Sequence, residues 1–356
     1  MRTAWHNCAI SDKAFAIGHH PDRHVTYINS QILSTMGFFS KSFDPVTDLP
    51  DLSGKVILIT GGNAGIGYST VKHLARRGAK VYMAARNQSK AEEAITQLKA
   101  EGLGPGSGDV IWLELDLKDP RNAKKAAERF MKLEKRLDVL IHNAAVLLEN
   151  YSMTPDGVQE IVMVNVISHI VLTRTLQPLL DQTAAEPNSD VRIVVVGSEA
   201  HRFVSGETHF RNLDDLNNEL KSSLSPTFAR YCMTKLMNML YAFELQRHLA
   251  AVGSPITVIA AHPGAVNTFS DKPPLSNFKF IVKPIVSLFF LRPDQGAYNS
   301  AFAAASEEVT RQREKYKGAY LTPVGKLTEP TKVAKDEGLT KELWDTVDKF
   351  LEEKGI

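Results

Sequence analysis

Short apolar runs alternate with longer stretches of helical spacing from residue 55 onward. An apolar run of about four to eight residues between turn formers is typical of a strand buried on both faces. Such runs predict strands at 55–60, 80–84, 110–115, 138–142, 191–196, 255–261 and 319–322. Apolar residues at helical spacing predict helices at 68–77, 89–101, 120–136, 154–180, 231–250, 294–305 and 341–354. This alternation predicts one α/β domain over residues 51–356, with a doubly wound parallel sheet of about seven strands between two layers of helices.

The first predicted strand runs directly into a glycine-rich turn, Thr60-Gly61-Gly62-Asn63-Ala64-Gly65-Ile66-Gly67. A strand, a glycine turn and a helix together point backbone N–H groups at a phosphate. Glycine is needed because a side chain would block the tight turn and hold the phosphate away from the backbone. The spacing differs from G-x-G-x-x-G, and Tyr68 stands where a P-loop carries lysine, which disfavours a nucleoside triphosphatase. Considered alone, the turn also fits an ordinary strand–turn–helix.

Four further residues suggest chemistry by their type and position. Asn165 lies among apolar residues of a helical pattern, where its amide competes with the backbone, and that cost favours a functional role over a surface position. Ser198 follows a buried strand, and doubly wound sheets bind ligands at the carboxyl ends of their strands. Tyr231 and Lys235 share one helical face, where an ammonium lowers the pKa of a phenol and makes it a usable acid/base. Ser198 lacks the G-x-S-x-G surroundings of a serine hydrolase.

Taken together and in this order, these motifs resemble those of the short-chain dehydrogenase/reductase family. The matching motifs are Thr60-Gly61-x-x-x-Gly65-Ile66-Gly67, Asn143-Ala144, Asn165, Ser198, Tyr231-x-x-x-Lys235 and Pro263-Gly264-x-Val266-x-Thr268. Residues 198–203 and 212–216 are similar to the branch of retinol dehydrogenases and WW-domain oxidoreductases. His142 and Ala145 depart from the family's Asn-Asn-Ala-Gly element. The resemblance implies a Rossmann fold and hydride transfer between a nicotinamide cofactor and an alcohol or carbonyl compound.

The resemblance also implies roles for the matching positions. Tyr231 would exchange the hydroxyl proton, Ser198 would hold the substrate oxygen, and Asn165 would anchor a proton-relay water. Lys235 would lower the pKa of Tyr231 and bind the nicotinamide ribose. The implied cofactor contacts are Gly61, Asn63, Gly65, Ile66, Gly67, Arg86, Asp116, Leu117, Asn143, Ala144, Tyr231, Lys235, Pro263, Gly264, Val266 and Thr268. Asp116 is equally well explained as the cap of the turn that follows it.

The end of the second predicted strand bears on the choice of cofactor. NAD-binding folds place an acidic residue about 20 positions after the glycines, where it accepts hydrogen bonds from the adenosine ribose. Here that place holds Ala85, followed by Arg86. A guanidinium can grip a 2′-phosphate with charge-assisted hydrogen bonds, whereas a carboxylate would repel it. We therefore predict a preference for NADP(H), with a solvated arginine at a strand end as the alternative.

Composition narrows the classes of partner and compartment. The formal net charge is +2, and no long basic run occurs, which argues against nucleic acid as the main partner. Two cysteines, Cys8 and Cys232, cannot build a disulfide framework and indicate a reducing compartment. No signal-peptide pattern supports secretion, so we expect a cytoplasmic protein. Homo-oligomers are implied by the family resemblance alone.

Two segments leave alternatives open. Residues 1–50 carry scattered histidines without clear periodicity, which predicts a loosely ordered extension rather than a metal site or a mitochondrial presequence. Met36 is also a plausible natural start. The most apolar segment, 278–291, is too short to span a bilayer. We predict a lid over an apolar substrate pocket at 270–292, and peripheral membrane contact through 278–291 is the second interpretation.

The sequence therefore predicts an NADP(H)-dependent oxidoreductase for a lipophilic alcohol, aldehyde or ketone. A binding or regulatory protein that uses the dinucleotide fold without turnover is the alternative, because fold alone does not guarantee activity.

Overall fold

Among the residues that the structure describes, eight strands form one sheet. The structure is a computed structural model that describes residues 43–104, 106–204, 206–264 and 293–356. The strands are β1 Val56–Thr60, β2 Lys80–Ala85, β3 Val110–Glu114, β4 Val139–His142, β5 Arg192–Val196, β6 Thr257–Ala261, β7 Ala319–Thr322 and β8 Lys326–Leu327. Their order is β3-β2-β1-β4-β5-β6-β7-β8, and β1 to β7 are parallel, whereas β8 is antiparallel to β7. The predicted doubly wound sheet is confirmed.

Helices cover both faces of this sheet. They are α1 Pro45–Asp48, α2 Gly65–Arg76, α3 Gln88–Ala100, α4 Pro120–Leu133, α5 Glu160–Val162, α6 Ser168–Ala184, α7 Leu213–Leu216, α8 Pro226–Ala251, α9 Pro293–Ala305, α10 Glu307–Arg311, α11 Arg313–Tyr316 and α12 Glu337–Lys354. A π-helical turn, Met163–Ile167, joins α5 to α6. Successive side chains of β1 face opposite layers: Leu58 packs in the cluster with α4, α6, α8 and α12, and Ile57 packs with α2, α3 and α9. Both faces of the central strands are therefore buried.

Several predicted boundaries are wrong, each for a local reason. The helix predicted from residue 154 begins at Glu160, because Thr154 closes a turn by donating its hydroxyl to the Val158 carbonyl. The helix predicted from Tyr231 begins at Pro226, which supplies a favourable first residue. Asn87, not Ser89, caps α3 by accepting a hydrogen bond from the Lys90 N–H at 2.9 Å. Apolar periodicity alone does not register such polar contacts.

The compact unit that contains the sheet begins at Phe43, so residues 43–50 belong to it rather than to the predicted extension. Leu49 is only 1% exposed, and the Phe43 ring packs edge-on against Phe302 with centroids 5.2 Å apart. The remaining extension, residues 1–42, lies outside the described residues. So do the predicted lid at 270–292 and the apolar segment 278–291.

The sheet order fixes where a ligand can lie. The chain winds outward from β1 through β2 to β3 and then returns to place β4 on the other side of β1. In doubly wound sheets, ligands bind beyond the carboxyl ends of the strands at this switch point. Among the helices that the structure describes, none is long and apolar enough to cross a membrane.

Candidate active site

The glycine turn after β1 has the geometry of a phosphate-binding loop. Gly61 and Gly65 have φ of +66° and +56°, a region that favours glycine. A Cβ built on Gly67 would lie 2.3 Å from the Gly61 carbonyl oxygen, so glycine lets α2 pack closely on the loop. Ala64, the N-cap of α2, makes no side-chain hydrogen bond to the first turn. The N–H groups at this helix end therefore remain free of a side-chain cap, which suits an anionic ligand. Asn63 and Ile66 lie in the same loop, half-buried.

The turn after β4 is tied to this loop. The Asn143 amide Nδ2 donates to the carbonyl oxygens of Thr60 at 2.8 Å and Gly61 at 3.2 Å. The backbone N–H groups of Asn143 and Ala144 donate to the Thr60 hydroxyl at 3.0 and 2.9 Å. Thr60 thus joins the ends of β1 and β4 at the switch point.

Three predicted cofactor contacts, Arg86, Asp116 and Leu117, flank the site after β2 and β3. Arg86 directly follows β2, is exposed, and has no hydrogen-bond or ion-pair partner among the residues that the structure describes. Asp116 accepts a hydrogen bond from the Lys118 N–H at 3.1 Å, so it does cap the following turn. Leu117 is buried, and its carbonyl accepts from the Ser168 hydroxyl at 2.8 Å. A guanidinium without a protein partner is available to an anionic ligand.

Asn165 lies inside the π-helical turn and is 1% exposed. Its Oδ1 accepts from the Val146 N–H at 2.8 Å, and its Nδ2 donates to the Val146 carbonyl at 3.0 Å and the Thr234 hydroxyl at 3.1 Å. The amide therefore connects the segment after β4 to helix α8. A surface position is excluded. Single-turn π-helices are rare and occur frequently at functional sites.

Ser198 follows β5 and begins a 3₁₀ turn, Glu199–Phe203. Its hydroxyl accepts from the Ala200 N–H at 3.1 Å, and its carbonyl lies 2.6 Å from His201 Nδ1. Glu199 anchors the same turn, because its carboxylate accepts a hydrogen bond from the Tyr320 hydroxyl at 2.6 Å. The position of the serine is thus fixed by its own turn and by β7.

Tyr231 lies in the second turn of α8 and Lys235 in the third, beside Ser198. Burial raises the pKa of Tyr231 to about 12, and its hydrogen bond with Ser198 opposes that shift. Burial lowers the pKa of Lys235 to about 8. The Lys235 ammonium donates to the Val196 carbonyl at 2.8 Å and lies 5.7 Å from the centre of the Tyr231 ring. Burial is the largest influence on the ionisation of Tyr231 in this structure, and the lowering of its pKa by the Lys235 ammonium stays a prediction.

The turn after β6 forms the remaining border of the site. Burial lowers the pKa of His262 to about 4, which keeps its ring neutral. Pro263 and Gly264 follow, and Gly264 has φ of +90°. Val266 and Thr268 lie outside the described residues. Asn299 of α9 donates to the His262 carbonyl at 2.7 Å and holds this turn in place.

Sequence reasoning missed several residues that hold the site together. Glu199, Asn299 and Thr234 bond to predicted site residues or to their turns. Asn299 had a signal, since it is a polar residue in an alanine-rich helical stretch, as Asn165 is among apolar residues. Glu199 and Thr234 had none, because their partners are distant in sequence.

The arrangement gathers a phosphate-binding loop, a free guanidinium, a hydroxyl, a phenol and an ammonium beyond the carboxyl ends of β1 to β6. The open loop and the unpaired Arg86 fit a phosphorylated dinucleotide. The Ser198 hydroxyl and the Tyr231 phenol, which are close enough to influence each other's protonation, can bind an oxygen and exchange a proton with it.

Comparison with known proteins gives a consistent result. A family model described as short chain dehydrogenase matches residues 55–208. The chain is 42% identical over 320 residues to a short-chain dehydrogenase/reductase of Armillaria gallica, covering 89% of this chain and 99% of that protein. It is 37% identical to human retinol dehydrogenase 14 and 34% identical to human polyprenol dehydrogenase, covering 83% and 86% of this chain and 85% and 86% of those proteins.

Solved structures have the same fold. A putative uncharacterized protein from Mycobacterium paratuberculosis is 29% identical with a TM-score of 0.64, covering 88% of this chain and 98% of that chain. The RhlG–NADP active-site complex of Pseudomonas aeruginosa is 23% identical with a TM-score of 0.57, covering 80% of this chain and 98% of that chain. The second likeness bears on the fold alone.

Proposed function

Because the chain belongs to the short-chain dehydrogenase/reductase family, we propose that it interconverts a lipophilic alcohol and its carbonyl compound with NADP(H) as the preferred cofactor. The family makes it an oxidoreductase that acts on CH–OH groups, with a fold that binds NAD(P). The observation that carries the finer proposal is the placement of the Tyr231 phenol, whose pKa the Ser198 hydroxyl lowers, beside the buried Lys235 on α8. The alternative of a scaffold without turnover is not favoured by relatives that are named as dehydrogenases.

The proposed chemistry assigns one task to each side chain. In reduction, the Ser198 hydroxyl holds the substrate oxygen, and the Tyr231 phenol gives that oxygen its proton. A phenol with a pKa of about 12 stays protonated near neutral pH and is ready for this step. Lys235 would contact the cofactor ribose, and Asn165 would anchor the water that returns a proton. The cofactor, when bound, supplies the hydride.

Arg86 supports the preference for NADP(H). A 2′-phosphate carries the negative charge that this exposed and unpaired guanidinium can bind with paired hydrogen bonds. Ala85 occupies the position at the end of β2 where NAD-binding folds carry an acidic side chain, so β2 itself presents no carboxylate that would repel the phosphate.

A line of aromatic rings supports an apolar substrate. Phe228 lies one turn before Tyr231 on α8, with ring centroids 6.4 Å apart. Phe203 is 68% exposed, and its ring lies 5.9 Å from that of Phe228. Exposed aromatic side chains beside a polar catalytic group can bind the hydrocarbon part of a ligand while its oxygen reaches the phenol.

The test begins with titration of the protein with NADPH and NADH and a panel of long-chain, terpenoid and aromatic aldehydes. Tyr231→Phe should lower the turnover number by about 10²- to 10⁴-fold, the contribution usual for general acid catalysis, with a much smaller change in the cofactor Kd. Tyr316→Phe is the matched control, because that buried phenol bonds Glu308 outside the site.

Full turnover in Tyr231→Phe would remove the phenol from the mechanism. Cofactor binding by the unmodified protein without turnover on any carbonyl in the panel would favour the scaffold alternative.

A further inference from the structure

The Thr60 hydroxyl is fully buried. Several polar groups lie within hydrogen-bond distance of it, but it has only one hydrogen to donate. The N–H groups of Asn143 and Ala144 donate to its oxygen and use both lone pairs. Its own hydrogen must therefore go to an acceptor. His169 Nε2 lies at 2.9 Å and the Ile141 carbonyl at 3.5 Å, so the histidine nitrogen is the better partner.

This assignment fixes the tautomer of His169. If Nε2 accepts from Thr60, the ring proton is on Nδ1, which lies 3.3 Å from the Asn165 carbonyl oxygen. Burial lowers the pKa of His169 to about 3, and the Lys235 charge lowers it further, so the ring stays neutral. One neutral imidazole thus accepts a hydrogen bond from Thr60, the first residue of the glycine turn 60–67, which we call the cofactor loop. It donates a hydrogen bond to the Asn165 carbonyl in the π-helical turn.

We propose that His169 is a positioning residue that couples the π-helical turn carrying Asn165 to the cofactor loop through the Thr60 hydroxyl. The proposal rests on the proposed function, because Asn165 and the loop belong to that site. The Asn165 side chain continues the path to Thr234, the neighbour of Lys235 on α8. A single buried network thereby fixes the positions of the cofactor loop, the π-helical turn and α8 relative to one another.

His142 shows what a merely structural buried histidine looks like here. It is as deeply buried as His169, and the two ring centroids are 4.7 Å apart. Its Nε2 pairs with the Thr173 hydroxyl at 2.9 Å, and its Nδ1 has no partner among the described residues. That pair does not touch the cofactor loop or Asn165, so breaking it removes a buried hydrogen bond without breaking the coupling.

The experiment uses three substitutions of His169 to separate its contact with Thr60 from its contact with the Asn165 carbonyl. His169→Phe fills the space and removes both contacts. His169→Asn carries an amide near the Nδ1 position and can still donate to the Asn165 carbonyl, whereas His169→Gln carries one near the Nε2 position and can still reach Thr60. We expect His169→Phe to weaken NADPH binding and lower the turnover number by about 10-fold each, since residues of one hydrogen-bond network couple strongly.

The two amides should separate these effects. His169→Asn should weaken NADPH binding more than it lowers turnover, and His169→Gln should do the reverse. Thr60→Val should cost at least as much cofactor affinity as His169→Phe, because it also unpairs the N–H groups of Asn143 and Ala144. Adding His169→Phe to Thr60→Val should change the Kd little further, and Thr60→Ser should retain the affinity. Thr173→Val is the matched control and should lower the melting temperature alone.

The proposal is overturned if His169→Phe matches Thr173→Val in turnover and in NADPH Kd while both lose stability. It is also overturned if the effects of Thr60→Val and His169→Phe on the Kd simply add. NADPH binding is measured without turnover, so an unmodified protein that reduces no carbonyl would contradict the proposed function and still leave this coupling readable.

Discussion

The phenol of Tyr231 and the ammonium of Lys235 lie in an interior that disfavours both of their charged forms. Burial raises the pKa of Tyr231 to about 12 and lowers the pKa of Lys235 to about 8, so it shifts both side chains toward their neutral forms. The spacing of the two residues was predictable from the sequence. Which effect dominates their ionisation was not, because burial depends on the whole packed helix.

Replacement of Arg86 tests the cofactor preference. Arg86→Ala should raise the Kd for NADPH by about 10- to 100-fold, since hydrogen bonds to a charged group contribute about 1.5–3 kcal/mol. The Kd for NADH should change by less than about twofold, because NADH carries no 2′-phosphate for this guanidinium. Isothermal titration of both cofactors measures the two constants.

Arg129→Ala is the control for the loss of one positive charge, because Arg129 is exposed on α4. An equal loss of affinity for both cofactors in Arg86→Ala would contradict the assignment of Arg86 to the 2′-phosphate.

Phe228 provides a test of the substrate class. Phe228→Ala should lower kcat/KM for a ten-carbon aldehyde by about 10-fold and for propanal by less than about twofold, because only the longer chain reaches the ring. Leu133→Ala, which shortens another exposed apolar side chain, should change neither value. A parallel loss on both aldehydes would indicate damage to the catalytic helix instead of a lost apolar contact.

At the scale of elements, apolar runs predicted every parallel strand, because strands buried on both faces leave a strong pattern. The last strand, β8, was missed because it has only two residues, both exposed. The π-helical turn at 163–167 has the same apolar spacing as a helix, so only the unfavourable Asn165 hinted at it. Elements set by polar contacts, such as the start of α5, need the partners that only the folded chain provides.

The contact between α2 and the cofactor loop depends on Gly67. Gly67→Ala would place a Cβ 2.3 Å from the Gly61 carbonyl oxygen and 2.5 Å from Asn143 Nδ2, so the helix must move away. We expect a loss of about 1–3 kcal/mol in the free energy of unfolding, as for other overpacked sites, and a clear rise in the cofactor Kd. Urea unfolding and titration give these values.

The same substitution in α12 is the matched control. A Cβ on Gly338 meets only the end of the Asp336 side chain, at 3.2 Å. Gly338→Ala should leave cofactor binding unchanged and alter stability by no more than about 1 kcal/mol. Similar effects of the two substitutions would show that the close approach at Gly67 is not needed for binding.

At the scale of the whole molecule, several histidines of the described residues are wholly or partly buried. Desolvation is the main cause that lowers the pKa values of five of them: His73, His142, His169, His201 and His262. Composition gave only the number of histidines in the chain. Their depth follows from the packing of β4, β6, α2 and α6, so the effect of pH on stability could not be predicted from the sequence.

These histidines predict a loss of stability as the pH falls from 6.5 to 4.5. The unfolded chain binds protons near pH 6.5, while the folded protein resists them down to about 3 at His169, so protonation favours unfolding. His169 alone should remove about 1 kcal/mol per pH unit within that window, and His142, whose pKa burial also lowers, should make the slope steeper. Urea unfolding at pH 7.5, 6.5, 5.5 and 4.5 measures the slope.

His142→Gln should flatten the slope by one proton, whereas His209→Gln should not, because the Glu207 and Glu342 carboxylates raise the pKa of His209. Equal slopes for the unmodified protein and His142→Gln would mean that the buried ring takes up its proton without unfolding.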